Sequence, residues 1–196
     1  KGNRIVNSQT VNDSWRSSEP SLRFDGSGDR VSITSGNVIT NKLTYDVTLS
    51  VWYKPTADNY GTYNRIVSIG GSGSTDRALQ LMHVSGSSNL VVHINNSTSA
   101  TISSTKLTLN KWYHIVVTYD GATVKTYLDG VAGETDSYTN VLNSYSNIVI
   151  GGEANNDTYT INGEIKDVRI HNRALESDEV KGLYNGESTP FHGANA

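Results

Sequence analysis

The sequence predicts an all-β protein, two antiparallel sheets packed as a sandwich, with one short helix near the C-terminus. Three observations carry this. Short apolar runs recur along the 196 residues, several alternating with period two as strands of a half-buried sheet do. Gly, Ser, Asn and Asp cluster between those runs, and Asp120-Gly121 and Asp129-Gly130 supply the positive φ angles that tight turns need. A helical spacing of apolar residues occurs once, over 175–184.

Taken in order, residues 1–20 are a polar lead-in with at most an edge strand, ending near Pro20. Ser21–Phe24 and Arg30–Thr34 read as short strands around the turn Asp25-Gly-Ser-Gly-Asp29. Over 47–53, Val47, Leu49, Val51 and Tyr53 share one face and Ser50 and Trp52 the other, until Pro55 ends the run. Arg65–Ile69 is the next strand. Ala78–Val84 and Asn89–Ile94 form a hairpin whose four-residue loop pairs Val84 with Asn89 and Gln80 with His93. Leu79, Leu81, Leu90, Val92 and Ile94 then share the core face, and Gln80, Met82, Val91 and His93 the other. Thr101–Leu109 is a further strand region. Trp112–Tyr119 turns through Asp120-Gly121 into Thr123–Leu128, with Tyr113, Ile115, Val117 and Tyr119 on one face and Trp112, His114, Val116 and Thr118 on the other. Residues 131–146 read as loop-rich, with Tyr138 and Tyr145. Asn147–Ile150 is a strand, Gly151–Asp157 a loop dense in oxygen ligands, and Tyr159–Asn162 and Glu164–His171 the last strands. The helix over Leu175–Tyr184 buries Leu175, Val180, Leu183 and Tyr184. Residues 187–196 read as a linker or tail.

A single domain of this length buries roughly 70% of its unfolded surface. Hydrophobic residues are 35% and charged residues 18%, and uncharged polar types fill the gap, which suits many short strands under a hydrated surface. A net charge of −3 without a Lys/Arg stripe argues against a nucleic-acid surface. The chain has no Cys, so disulfides and thiol chemistry are excluded. No apolar run approaches the roughly 18 residues of a membrane span. The opening Lys-Gly suggests a segment of a longer chain with neighbouring domains.

Six stretches, in order and at regular spacing, carry a resemblance. They are Leu22-Arg-Phe-Asp-Gly-Ser-Gly-Asp-Arg-Val31, Leu49-Ser-Val-Trp-Tyr-Lys-Pro55, Trp112-Tyr-His-Ile-Val-Val-Thr-Tyr-Asp-Gly121, Tyr127-Leu-Asp-Gly130, Ile150-Gly-Gly152 and Gly163-Glu-Ile-Lys-Asp-Val-Arg-Ile-His-Asn-Arg-Ala-Leu175. The chain resembles the laminin G-like, concanavalin A-like jelly rolls in their pentraxin-related form, over residues 21–186. The resemblance implies a jelly-roll sandwich, and a secreted or phage structural parent. Two positions depart from it: Lys166 replaces an acidic residue before Asp167, and Glu176 replaces the Ser ahead of the helix, losing the hydroxyl half of a capping box with Glu179.

The candidate sites follow. Calcium takes six to eight oxygens from carboxylates, amides and carbonyls. The Asp25–Asp29 loop has glycines that turn carbonyls inward, and the resemblance implies that Asp25, with Asp29 on its loop, meets Asp167 at a structural ion. The same residues serve equally as a plain turn and an edge residue. Glu153–Asp157 is a second oxygen-rich loop, where the resemblance permits a rim calcium; a solvated turn is the plainer reading. Sugars are held by aromatic platforms and planar polar groups. Tyr60, Tyr63 and Tyr159, the rim residues Asn155, Asn156 and Asp157, and the sheet residues Gln80 and His93, with Arg65 and Arg77 nearby in sequence, are the candidates. A catalytic carboxylate triple is broken, because Lys166 and Val168 stand where related glucanases carry Asp and the second Glu. His114 reads as a packed histidine, and Trp52 and Trp112 as sandwich core. The expectation is a non-catalytic, calcium-stabilised recognition module, extracellular or on a virion surface, whose partner is a glycan or a surface protein. The alternative is a structural decoration domain without small ligand; a glycoside hydrolase is the remote third.

Overall fold

A computed structural model of the chain describes residues 20–34, 46–58, 63–70, 77–84, 89–95, 97–103, 106–142, 147–154 and 156–186. The described strands are β1 (Leu22–Asp25), β2 (Val31–Thr34), β3 (Asp46–Pro55), β4 (Asn64–Gly70), β5 (Arg77–Val84), β6 (Asn89–Ile94), β7 (Ser97–Ser103), β8 (Tyr113–Asp120), β9 (Thr123–Leu128), β10 (Val131–Ser137), β11 (Asn147–Ile150) and β12 (Asn162–His171). A 3-10 turn covers Asp157–Tyr159, and helix α1 covers Ser177–Asn185. The strands form two six-stranded antiparallel sheets, β1-β12-β3-β8-β9-β10 and β2-β11-β4-β5-β6-β7. This is a jelly-roll sandwich with one helix, the fold class read from the sequence.

Period-two alternation assigns the faces. Val47, Leu49, Val51 and Tyr53 of β3 and Tyr113, Ile115, Val117 and Tyr119 of β8 enter the core from the first sheet. Leu79, Leu81, Leu90, Val92 and Ile94 of β5 and β6 enter it from the second, as the alternation requires. On the outer face of the first sheet, Leu175, Val180 and Leu183 pack α1 onto Val116 and Tyr127. Tyr184 stacks over Trp52, with ring centroids 5.8 Å apart. Glu179 reaches back to the Glu176 N–H at 3.0 Å, and the Glu176 carboxylate takes the part of the expected hydroxyl, so the capping box survives the departure.

Several expectations are corrected. Residues 131–137 form the edge strand β10 rather than a loop; its side chains are exposed, so no apolar alternation marks it. The strand expected over Thr101–Leu109 is β7, shifted toward the N-terminus, because Ser97–Ser103 pairs with β6. Tyr159 ends a 3-10 turn, and the last strand runs unbroken from Asn162 through Gly163, whose missing side chain admits the Lys54 carbonyl. Trp52 is buried but on the outer face, stacked on His114 at 4.8 Å. Trp112 is half-buried there, with the Lys166 and Lys54 ammonium groups 4.8 and 5.2 Å from its ring. Neither tryptophan belongs to the sandwich core. His114 is a packed histidine as expected, 2.9 Å from the Ser50 hydroxyl. The lead-in, the tail, Tyr60, Tyr145 and Asn155 lie outside the described residues.

Candidate functional site

The outer face of the second sheet holds the polar side chains that the core excludes. The pairing of β5 with β6 sets Gln80 opposite His93, and its pairing with β4 sets Ser68 opposite Gln80. Ser68, Gln80 and His93 therefore stand in one row across three strands. Arg65 joins them through an irregularity. Unbroken alternation would put Arg65 on the face of Val67, which is core. A bulge between Arg65 and Val67 sends Ile66 and Val67 both inward, and Arg65 outward opposite Met82.

The loop after β11 brings a carboxylate down onto this row. Gly151 has φ +83, and a side chain there would meet the Phe24 ring at 2.2 Å, so only glycine allows the chain to turn there. Its N–H donates to the Ile66 carbonyl at 2.9 Å, tying the loop to the bulge. Glu153 forms an isolated antiparallel β-bridge with Asn156. Asn156 then accepts the Thr158 N–H at 3.0 Å and starts the 3-10 turn that delivers Tyr159.

Glu153 is completely buried. Its Oε1 lies 2.8 Å from Arg77, 3.2 Å from the Gln80 amide and 3.6 Å from Arg65. The Gln80 amide also donates to Ser68 Oγ at 3.1 Å. The Arg65 guanidinium lies over the Tyr159 ring at 4.2 Å and donates to the Tyr63 carbonyl. Tyr63 is 40% exposed, and its ring is 5.9 Å from that of His93. Burial, then Arg65 and Arg77, push the His93 imidazole down to about 4, so it is neutral near pH 7. Burial also lowers Arg65 from its ordinary value, an effect that Glu153 opposes and Arg77 reinforces.

Five of the expected ligand-binding residues, Tyr63, Arg65, Gln80, His93 and Tyr159, thus meet on one face. Asn156 caps the adjoining turn, while Asp157 points away to an ion pair with Arg30. In the sequence Arg77 stands only as a neighbour of the sheet residues, and Glu153 only as one end of the oxygen-rich loop; neither is expected in the cluster itself. Their signal was available: two arginines flanking a strand pair need a carboxylate when buried, and Glu153 follows the Gly-Gly turn that can reach them.

The aspartates do not assemble as the resemblance implies. Asp25 pairs with Asn162, and Asp167 lies five positions further along β12, roughly 16 Å at about 3.3 Å per residue. Asp25 accepts the Ser27 N–H at 2.8 Å, and Asp29 the Asp25 N–H at 3.2 Å. Asp167 sits in a second bulge with φ +50, both oxygens held by Arg169 at 2.6 and 2.9 Å. Among the described residues no three acidic or histidine side chains are grouped to hold a metal. A single calcium ion on Asp25, Asp29 and Asp167 does not fit this arrangement.

The sandwich and its outer-face site can now be set beside known proteins. Residues 25–181 match the Laminin_G_3 family model, described as the concanavalin A-like lectin/glucanases superfamily. The chain belongs to this family. No curated protein matches it in sequence. Among solved structures, it is similar to a Trypanosoma rangeli sialidase in complex with sialic acid, at 21% identity and TM-score 0.69, covering 85% of this chain and 27% of the sialidase. It is similar to the botulinum neurotoxin serotype D binding domain, at 19% identity and TM-score 0.65, covering 85% of this chain and 42% of the other. A native heptameric SAP-like pentraxin from Limulus polyphemus aligns at 17% identity and TM-score 0.60, covering 82% and 83%. At these identities the likenesses establish the fold. This laminin G-like chain spans about a quarter of the sialidase's length. No helix among the described residues is long and apolar enough to cross a membrane.

Proposed function

We propose that this laminin G-like domain is a non-catalytic, extracellular recognition module that binds a glycan, or a glycan-bearing surface protein, on the outer face of β4, β5 and β6. One observation carries the reading: Tyr63, His93, Tyr159 and Arg65 converge over the Ser68–Gln80 row, giving aromatic platforms beside planar hydrogen-bonding groups. A fold shared with a pentraxin and a toxin binding domain supports it. So does the state of the carboxylates on β12. Glu164 is held by Lys54 at 2.7 Å and Asp167 by Arg169, which leaves no facing pair for acid–base hydrolysis of a glycoside on that strand.

For calcium, the reading keeps only the Asp25–Asp29 turn, where Gly26 and Gly28 have positive φ. A Ca²⁺ titration of EDTA-treated protein tests this. A ligand at 100 times its Kd adds about 2.7 kcal/mol, so a flat melting temperature rejects a tight ion there. The recognition reading is tested on a glycan array with the full chain and a Tyr63→Ala variant. Binding that the substitution abolishes is the expected result; hits unaffected by it place recognition elsewhere. Absence of all hits favours a structural decoration domain.

A further inference from the structure

The two flanks of the sandwich are finished differently. On one, β7 and β10 close over the core: Glu134 accepts the Thr101 N–H at 2.9 Å, and a Cβ on Gly133 would lie 3.6 Å from the Ile102 carbonyl. On the other, β1 and β2 are the outermost described strands of their sheets. Leu22 pairs with Ile165, Val31 with Ile150 and Ile33 with Ile148, and those three isoleucines belong to the core. Side chains of directly paired residues point to the same side of a sheet, so Leu22, Val31 and Ile33 face inward. Yet they are 49, 37 and 49% exposed. Beside them a cavity of about 280 Å³ opens between the sheets, lined by Pro20, Leu22, Ile165 and Val168 from the first and by Ile150 from the second. An engineered cavity of roughly 150 Å³ holds a benzene, so this one has room for an indole.

We propose that the chain's own lead-in covers this flank, with the Trp15 indole seated in the cavity. Residues 1–19 precede the described part of the chain, and Pro20, where they join it, is itself a wall of the cavity. Ser21 fixes that entry, its hydroxyl donating to Glu164 at 2.9 Å. Five residues take the chain from Trp15 to Pro20, a reach of roughly 16 Å at about 3.3 Å per residue, which spans a cavity that begins at Pro20. Apart from Ile5, Val6 and Val11, the remainder of the lead-in carries no large apolar side chain. Trp15 is its one aromatic residue and the apolar side chain nearest to Pro20. Seating it takes the indole and the inward sides of Leu22 and Ile150 out of water together, which is the term that drives apolar packing. The folded unit then starts before Trp15 rather than at residue 21.

NMR of the full chain with labelled Ile, Leu and Val methyl groups tests this. Nuclear Overhauser contacts from the Trp15 indole to the Leu22, Ile150 and Ile165 methyls are expected, together with ring-current shifts of those methyls that Trp15→Ala removes. The same substitution is expected to lower the melting temperature by at least about 3 °C, and Trp15→Phe, which keeps a ring in the cavity, to recover most of that loss. Flank methyls that Trp15→Ala leaves unmoved overturn the proposal. Contacts that join the cavity to residues 35–45 instead make the connection after β2 the cover, and contacts seen only between differently labelled copies make it a second copy of the chain. Either result overturns it as well.

Discussion

Glu153 is the residue on which the outer-face cluster depends. It takes Arg77, Arg65 and Gln80 on one oxygen, in a site sealed from water. Removing one partner of a buried ion pair costs about 3–5 kcal/mol, because the remaining charge stays buried. Glu153→Ala should therefore lower the stability to urea by about that amount, and a loss under about 0.5 kcal/mol would show that the arginines are solvated. His93 gives the pH dependence. Its folded pKa of about 4 lies below the ordinary 6.5, so the unfolded chain binds the proton more readily. The stability it contributes is full above pH 6.5 and is lost as pH falls toward 4. The charged groups facing it are Arg65 and Arg77. The wild-type stability curve should slope downward through that window, and His93→Gln should flatten the slope. His171, whose pKa burial also lowers, remains in both proteins as an internal control.

At the scale of elements, the bulges of β4 and β12 and one loop decide where chemistry can occur. Period two and the four-residue hairpin loop made the Gln80–His93 pairing legible in the sequence, because both follow from alternation alone. The outward turn of Arg65 was not legible, since a bulge reverses the parity of a strand without leaving a mark in its composition. The same holds for Asp167, whose bulge hands its carboxylate to Arg169. The loop from Gly151 was legible as oxygen-rich, but its direction was not: the sequence marks Glu153 as polar, and only the turn at Gly151 makes it buried. Gly151→Ala combines a positive φ with a collision against Phe24 and should cost about 2–4 kcal/mol, read as a lower melting temperature. Helix α1 is a separate unit of packing, resting on Val116 and Tyr127. Leu183→Ala should cost about 2–4 kcal/mol by cavity formation and leave saccharide binding unchanged, since the helix covers the opposite sheet.

At the scale of the molecule, the two sheets divide the labour. The outer face of the first is occupied by α1 and by the Trp52–His114–Tyr184 stack. Among the described residues, the outer face of the second is covered at one side by the Gly151 loop, and it carries the exposed Tyr63 and half-buried His93 and Tyr159. The fold class was readable from the sequence because six segments and their turns agree with one another; the site was readable only as residue types, since it is built by loops and bulges. Ligand recognition is proposed for this second face. Backbone NMR shifts, followed as a binding oligosaccharide is added to the labelled full chain, test it most directly. Saturable shifts confined to Tyr63, Arg65, Gln80, His93 and the 153–159 loop are the expected result. Shifts centred on Trp112 and α1, with that face unmoved, would contradict it.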